Sequence, residues 1–150
     1  EDKQVSWLPS YGPEMRGGTA NCGVTVSDEP IGSPIITNDA DAAIIMNLPS
    51  LIKFEADVKP GGKIFINSSL ITKKVERTDV EVYYIDANQL AADIGNIKAA
   101  NLVMLGALLK VNQIVDIESI LEAFKKVFGP SKEKFIPQNR AALVKGGESI

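Results

Sequence analysis

Short apolar runs alternate along the chain with longer amphipathic stretches, and glycine or proline separates many of them. Runs rich in β-branched and aromatic residues predict strands, whereas apolar residues at helical spacing predict helices. The predicted strands are 4–8, 19–27, 35–36, 42–46, 63–67 and 80–85. Because the polar, proline-containing stretch 28–34 lies between two of them, a hairpin of 19–27 with 35–36 is expected.

The clearest pattern runs from residue 42 to residue 67. The apolar run 42–46 is typical of a strand buried on both faces of a parallel sheet. Asn47 precedes Pro49, so a helix capped by Asn47 should follow, and the Lys-Pro-Gly-Gly run 59–62 should end it before strand 63–67. The helix positions expected to face inward are Leu51, Ile52, Phe54 and Val58.

This strand, helix and strand order predicts the fold class. The expected architecture is a three-layer α/β/α domain with a central, mostly parallel (mixed) sheet. At 150 residues, the chain is expected to form a single domain spanning 1–150.

The second half of the chain predicts mainly helices. A stretch at about 89–110 has a wide apolar stripe that includes Asn101, and either Asp86 or Asn88 is expected to cap it. Gly95 can loosen or break this helix, so a second helix starting near Ile97 is an open alternative.

Two further helices are predicted towards the end of the chain. Asp116 should cap a helix at 117–128. A last helix at 137–144 should end at the glycine pair 146–147. Gly106, with the alanines around it, should allow the long helix to pack closely against a sheet or a partner.

Charge and composition exclude several classes of function. The chain has 16 basic and 19 acidic residues, a net charge of −3, a hydrophobic content of 45% and a mean hydropathy of +0.04. No basic field is present to attract nucleic acid or an anionic membrane. A signal peptide and a membrane-length apolar run are absent from the sequence, which favours a cytoplasmic location.

Histidine is absent and Cys22 is the only cysteine. The chain therefore cannot form an internal disulfide, supply the thiolates of an iron–sulfur cluster, or use a histidine base. Cys22 is expected to be a small buried filler. No catalytic residue or metal ligand is assigned, and no cofactor is expected to bind to this chain alone.

The strongest candidate for chemistry is the loop 10–21. Proline and paired glycines predict a shaped loop that presents one arginine and one glutamate. Main-chain N–H groups beside Arg16 can form a nest for a phosphate or carboxylate, but an arginine next to Glu14 can equally form an ion pair or an interface contact. The candidate residues are Tyr11, Gly12, Glu14, Arg16, Gly17, Gly18 and Asn21.

Two predicted strands end in polar residues, and these are the secondary candidates. Ligands of α/β proteins gather at the carboxyl ends of parallel strands, where Asn47, Asn67 and Ser68 are expected. The competing structural interpretation is that Asn47 caps a helix and Ser68 belongs to a turn.

Residues 10–22 resemble the signature of the gamma subunit of 2-oxoacid:ferredoxin oxidoreductases. They read Ser-Tyr-Gly-Pro-Glu-Met-Arg-Gly-Gly-Thr-Ala-Asn-Cys. Further matches follow in the same order at 36–38, 47–51, 60–62, 66–71, 95–96 and 101–106. The loop looks more like the 2-oxoglutarate and branched-chain types than the pyruvate type. Members of this family usually open with a strand and a glycine-rich turn, neither of which precedes Glu1.

The resemblance implies a supporting subunit in an enzyme that converts a 2-oxoacid, with 2-oxoglutarate favoured, and coenzyme A to acyl-CoA and carbon dioxide while reducing ferredoxin. Thiamine diphosphate, Mg²⁺ and iron–sulfur clusters would then lie on companion alpha, beta and ferredoxin-like delta subunits. The loop would face a partner subunit or coenzyme A. Two alternatives remain open: a stand-alone module that binds a nucleotide or coenzyme A, and a purely structural assembly subunit.

Overall fold

The computed structural model describes residues 1–10 and 20–150, which form five strands and five α-helices. The strands are β1 (Gln4–Ser10), β2 (Asn21–Ser27), β3 (Ala40–Ile45), β4 (Val58–Asn67) and β5 (Glu81–Ile85). The helices are α1 (Leu48–Phe54), α2 (Ala87–Asp93), α3 (Ala100–Asn112), α4 (Ile117–Phe128) and α5 (Ile136–Glu148). Short 3₁₀ turns cover Glu55–Asp57, Ile97–Ala99 and Pro130–Phe135.

The described strands form two separate sheets. The central sheet has the order β3-β4-β5, and both of its strand pairs are parallel. The second sheet is the antiparallel pair β1-β2, in which Trp7 lies opposite Val24 and Ser10 lies opposite Asn21. The antiparallel component is therefore a separate sheet in the described part of the chain.

Side chains alternate between the two faces of the central sheet along each strand, and helices pack against both faces. Phe65 belongs to a buried cluster with Val103 and other residues of α2, α3 and α5. Ile64 and Ile66 belong to a second buried cluster, which includes Leu51 of α1. The predicted three-layer α/β/α architecture with a parallel sheet is confirmed.

The predicted hairpin of 19–27 with 35–36 is wrong. β2 pairs with β1 instead, and residues 28–39 contain no strand. Pro30 and Pro34 lie in this stretch and lack the N–H donor that a strand ladder needs. Cys22 is also exposed rather than buried, because it lies on the antiparallel pair and not in the core.

α1 begins as predicted but is shorter. The Oδ1 of Asn47 accepts a hydrogen bond from the Ser50 N–H at 2.9 Å, which confirms the N-cap. The helix ends at Phe54, so Val58 is buried as the first residue of β4 and Ile52 is 68% exposed instead of facing inward. The run 59–62 belongs to β4 rather than to a separate turn.

The long helix predicted over 89–110 is broken, which confirms the alternative with a second start near Ile97. α2 ends at Asp93, Gly95 has a φ of +76°, and a 3₁₀ turn leads into α3. Asn101 then lies on an exposed position of α3, not on a buried stripe, because the break ends the continuous helical periodicity. The positive φ explains why glycine is suited to this connection.

α5 continues through the glycine pair that was predicted to end it. A Cβ on Gly106 would lie 1.9 Å from the carbonyl oxygen of Leu143, and one on Gly146 would lie 1.8 Å from that of Val103. The two glycines thus let the main chains of α3 and α5 touch at their crossing. This packing holds the last helix, in which Gly146 is buried, and it confirms the close packing expected of Gly106.

In the part of the chain that the structure describes, no helix is long and apolar enough to cross a membrane.

Replacing Gly106 with alanine should destabilise the domain strongly. The added methyl group would overlap the Leu143 carbonyl, so the free energy of unfolding should fall by about 3 kcal/mol despite the better helix propensity of alanine. Gly147→Ala is the matched control, because its Cβ would lie 3.5 Å from its nearest neighbours. The control should be neutral or stabilising by up to about 1 kcal/mol. Equal losses in urea unfolding of both variants would contradict the close crossing.

Candidate functional site

The loop with the strongest sequence signal lies almost entirely outside the described residues. This applies to six of its seven candidates: Tyr11, Gly12, Glu14, Arg16, Gly17 and Gly18. The seventh, Asn21, is the first residue of β2 and pairs with Ser10 of β1. The two residues that bound the loop on the described side are therefore neighbours on adjacent strands.

The secondary candidates lie at the carboxyl ends of the central strands, as expected. Asn67, the last residue of β4, is completely buried. Its Nδ2 donates to Oδ1 of Asn88 at 2.8 Å, and its Oδ1 accepts from the Ser69 N–H at 3.3 Å. A buried amide that is hydrogen-bonded on both sides is stable in the interior, so Asn67 ties the end of β4 to the start of α2.

Ser69 connects the same strand end to the end of β5. Its hydroxyl donates to Oδ1 of Asp86 and accepts from the Asn88 N–H at 2.9 Å. Although Asp86 occupies the N-cap position of α2, it forms no side-chain cap bond, so the hydroxyl of Ser69 satisfies an N–H of the first turn instead. The sequence predicted that the side chain of Asp86 or of Asn88 would cap this helix, and neither side chain does so.

We name the four hydrogen-bonded residues Asn67, Ser69, Asp86 and Asn88 the carboxyl-edge cluster. Sequence reasoning identified Asn67 here but treated Asp86 and Asn88 only as helix caps. Their placement after β5 was the available signal, since neighbouring parallel strands end at the same edge of a sheet.

The other two edge candidates have structural roles. Ser68 donates its main-chain N–H to the Ile85 carbonyl at 2.8 Å, which extends the strand ladder by one residue. Asn47 is exposed and caps α1 through its side chain. The structure thus brings Asn67 together with the residues that follow β5, whereas Asn47 serves the helix after β3.

Arg77 makes a second set of polar contacts, with residues near the start of β4. The guanidinium of Arg77 donates to the main-chain oxygens of Glu55 and Val58 at 2.8 and 2.6 Å, and it binds both carboxylate oxygens of Asp79. These bonds from Arg77 lower the pKa of Asp79 below its usual value, and the Asp79 carboxylate raises the pKa of Arg77. The hydrogen bonds of Arg77 thus go to other residues of the same chain and connect these segments.

The carboxyl-edge cluster offers amides, a hydroxyl and one carboxylate. Among residues 1–10 and 20–150, no group of three or more histidine, cysteine, aspartate or glutamate side chains is placed to hold a metal ion. The cluster can position main-chain segments and offer hydrogen bonds.

A parallel sheet between two helical layers, with polar residues at its carboxyl edge, defines a domain of the α/β class. The family model described as pyruvate ferredoxin/flavodoxin oxidoreductase matches residues 1–149. The chain belongs to this family.

Two curated relatives from methanogens match almost the whole chain. The ketoisovalerate oxidoreductase subunit VorA of Methanothermobacter thermautotrophicus is 40% identical over 149 residues, which cover 99% of this chain and 30% of that relative. The 2-oxoglutarate synthase subunit KorC of Methanocaldococcus jannaschii is 33% identical over 150 residues, which cover 99% of this chain and 78% of that relative. The chain thus spans less than a third of the first relative and most of the second.

Solved structures share the fold. The gamma subunit of a keto/oxoacid ferredoxin oxidoreductase from Geobacter sulfurreducens is 31% identical with a TM-score of 0.77, and the match covers 98% of this chain and 80% of that chain. A 2-oxoglutarate:ferredoxin oxidoreductase from Magnetococcus marinus, with 2-oxoglutarate, coenzyme A and succinyl-CoA bound, has a TM-score of 0.80 at 20% identity. That match covers 99% of this chain and 26% of the other, and it shows the fold alone.

Asn67→Asp tests the buried amide of the cluster. The change removes the donor to Asn88 and buries an acid, so the free energy of unfolding should fall by about 2 kcal/mol at pH 7. Burial raises the folded-state pKa of the new carboxyl above its unfolded value of about 4. The loss relative to the unaltered chain should therefore be smallest below that pH and should grow as the pH rises through the folded-state pKa.

Asn47→Asp is the matched control, because aspartate caps helices as well as asparagine does and the site is exposed. The free energy of unfolding of this variant should stay within about 0.5 kcal/mol of that of the unaltered chain at pH 4.5 and at pH 8. Thermal unfolding at pH 4.5 and pH 8 measures both variants. A pH-independent loss in Asn67→Asp would show that the introduced carboxyl is not buried.

Proposed function

We propose that this chain is a gamma-type subunit or domain of a cytoplasmic 2-oxoacid:ferredoxin oxidoreductase complex. The complex would convert a 2-oxoacid and coenzyme A to acyl-CoA and carbon dioxide, and the two electrons would pass to ferredoxin. The observation that carries this proposal is the family match over residues 1–149, joined to two subunit relatives that each cover 99% of the chain.

We propose 2-oxoglutarate as the substrate of the complex and a branched-chain 2-oxoacid as the second candidate. The KorC relative is named for 2-oxoglutarate at 33% identity, and the VorA relative is named for ketoisovalerate at 40% identity. Both names agree with a substrate other than pyruvate, which the loop sequence also favours.

The chain's own residues support an accessory role. Decarboxylation of a 2-oxoacid requires an electron sink for the carbanion, and thiamine diphosphate supplies this chemistry when it is bound. Among the described residues, no group of three or more histidine, cysteine, aspartate or glutamate side chains is placed to hold a metal ion, and a chain with one cysteine cannot ligate a cluster that needs several thiolates. We therefore assign thiamine diphosphate, Mg²⁺ and the clusters to companion alpha, beta and delta chains.

The loop 10–21 is the part of the chain that we assign to contact with a partner or with coenzyme A. It carries Arg16, whose planar guanidinium suits phosphate and carboxylate groups. The carboxyl-edge cluster is a less suitable ligand site, because several of its polar groups already hydrogen-bond to one another.

Purification of the tagged chain from its native host tests the complex. Co-purifying subunits, bound thiamine diphosphate and coenzyme A-dependent reduction of ferredoxin by a 2-oxoacid are expected. Comparison of 2-oxoglutarate, ketoisovalerate and pyruvate at equal concentration would assign the substrate. A colourless protein that purifies alone and supports no such reduction would contradict the proposal.

Arg16→Ala separates a ligand role of the loop from an assembly role. If the loop binds coenzyme A, the complex should assemble normally and its KM for coenzyme A should rise by about tenfold, as expected when one charge-assisted contact is lost. Arg16→Lys should recover only part of this affinity, because lysine keeps the charge without the planar fork. Steady-state kinetics and size-exclusion chromatography of the purified complex give the two measurements.

Arg140→Ala is the charge-matched control, because Arg140 is an exposed arginine on α5 that pairs with Glu118. It should leave both assembly and the KM for coenzyme A unchanged. Loss of assembly in Arg16→Ala alone would assign the loop to a subunit interface. Unchanged assembly and kinetics in Arg16→Ala would remove the loop from both roles.

A further inference from the structure

The antiparallel pair β1-β2, which we name the ribbon, has one face made of apolar side chains. Residues that pair across the two strands share a face with residues two positions away on the same strand. One face, which we name the ribbon face, therefore consists of Val5, Trp7, Pro9, Cys22, Val24 and Val26. Val5 and Trp7 are each 62% exposed, Val24 is 51% exposed, and Cys22 is exposed as well. Most of this apolar surface is thus uncovered by the described residues.

The opposite face of the ribbon is more polar, and it lies against other parts of the chain. A Cβ on Gly23 would lie 3.3 Å from Cδ1 of Ile36, so the side chain of Ile36 covers this face. The hydroxyl of Ser6 is buried and has no hydrogen-bond partner among the described residues. Antiparallel strands with one covered face normally turn their apolar side chains inwards and their polar ones to water. The ribbon has the reverse orientation.

The ribbon is also poorly supported by the rest of the described domain. Neither of its strands packs extensively against another described helix or strand. A two-stranded ribbon on its own is marginally stable in water, and it gains stability when an apolar face is buried. Burial of the ribbon face would therefore stabilise the ribbon itself.

The charge of the ribbon indicates the chemistry of the surface that covers it. Neither strand carries a charged residue. At one end of the ribbon, Lys3 binds Asp28 at 2.5 Å, so these two charges compensate each other. The centres of protein interfaces are depleted of charged residues and enriched in tryptophan, with polar groups at the rim. The complementary surface is accordingly uncharged and apolar.

We propose that the ribbon face docks this chain onto a companion chain of the complex, which contributes an uncharged, apolar surface at this contact. This inference rests on the proposed function, and it adds which surface of the chain meets the companion. Trp7 lies opposite Val24 in the middle of the register and is the central contact residue.

Two observations favour a companion chain as the occupant. The region that matches this chain makes up 30% of the VorA relative, so more than two thirds of that relative is other sequence to which a gamma-type region is joined. The ribbon is also continuous with the loop 10–21, which joins its two strands and which we assign to contact with a partner or with coenzyme A. One partner can therefore cover the ribbon face and meet the loop.

A second copy of this chain fits the ribbon face less well. A stable interface uses roughly 20–30 residues on each side, whereas the ribbon face has the six residues named above. Two ribbons packed face to face would therefore not hold a dimer without further surface.

The reactivity of Cys22 tests the proposal, because this residue is the only cysteine of the chain and lies on the ribbon face. The complex purified through the tagged chain from its native host is treated with iodoacetamide under native conditions, and so is the tagged full-length chain produced alone. Mass spectrometry of the peptide that contains Cys22 follows the alkylation. Alkylation should be slower in the complex by at least about tenfold, because the reaction requires access to the thiol.

Val24→Lys is the informative variant, because it would bury an unpaired charge at the contact. Recovery of companion chains with this variant should fall by at least about tenfold, while its circular dichroism spectrum is retained. Gln4→Lys is the matched control, since it adds the same charge to an exposed position on the opposite face of β1. Val127→Lys repeats the valine-to-lysine change on α4, where Val127 is 73% exposed. Both controls should assemble normally.

Several results would overturn the proposal. An active complex in which Cys22 reacts as fast as in the chain alone would reject the ribbon face and leave the proposed function intact. Slow alkylation in the chain alone would assign the cover to the same chain, or to a second copy if the protection grows with concentration. Slow alkylation in the complex with normal assembly of Val24→Lys would assign the contact to the loop.

Recovery of no companion chains at all would contradict the proposed function as well as this inference. If Val24→Lys fails to fold, the alkylation of the unaltered complex and of the chain alone still decides between these outcomes.

Discussion

A parallel sheet must be covered on both faces, and this constraint organises the domain. Because β3, β4 and β5 all run in one direction, their connections have to cross over the faces of the sheet. The connection from β3 to β4 does so through α1, whereas the connection from β4 to β5, residues 68–80, contains no helix. The larger helical layer depends on the glycine contact between α3 and α5. Without that close approach, α5 would stand away from the cluster around Phe65 and leave the face incompletely buried.

The same parallel arrangement creates the polar edge. Neighbouring parallel strands end at the same edge of the sheet, so the residues after β4 and β5 meet even though about 20 residues separate them in sequence. Asn67 and Ser69 then satisfy the main-chain and side-chain groups at the start of α2. The amide of Asn67, which is buried, therefore finds its hydrogen-bond partners within the chain.

Features of the fold that depend on residues close together in sequence were predicted correctly. The Asn47 cap depends on residues within one turn, and the break at Gly95 depends on one glycine with a positive φ, so both were accessible from sequence. Outcomes that depend on distant residues were not accessible. Gly146 looks like a helix stop in sequence, but it continues α5 because it faces the main chain of α3. Likewise, β2 pairs with β1, although residues 11–20 separate the two strands in sequence.

The described residues differ in how far their polar and apolar groups are covered by the rest of the chain. Arg77 and the carboxyl-edge cluster direct their hydrogen bonds to other residues of the chain. The edge of β3 and the uncharged face of β1-β2 are among the surfaces that the described residues leave uncovered. Open strand edges and exposed apolar faces are costly to leave in water, whereas internal hydrogen bonds are already compensated.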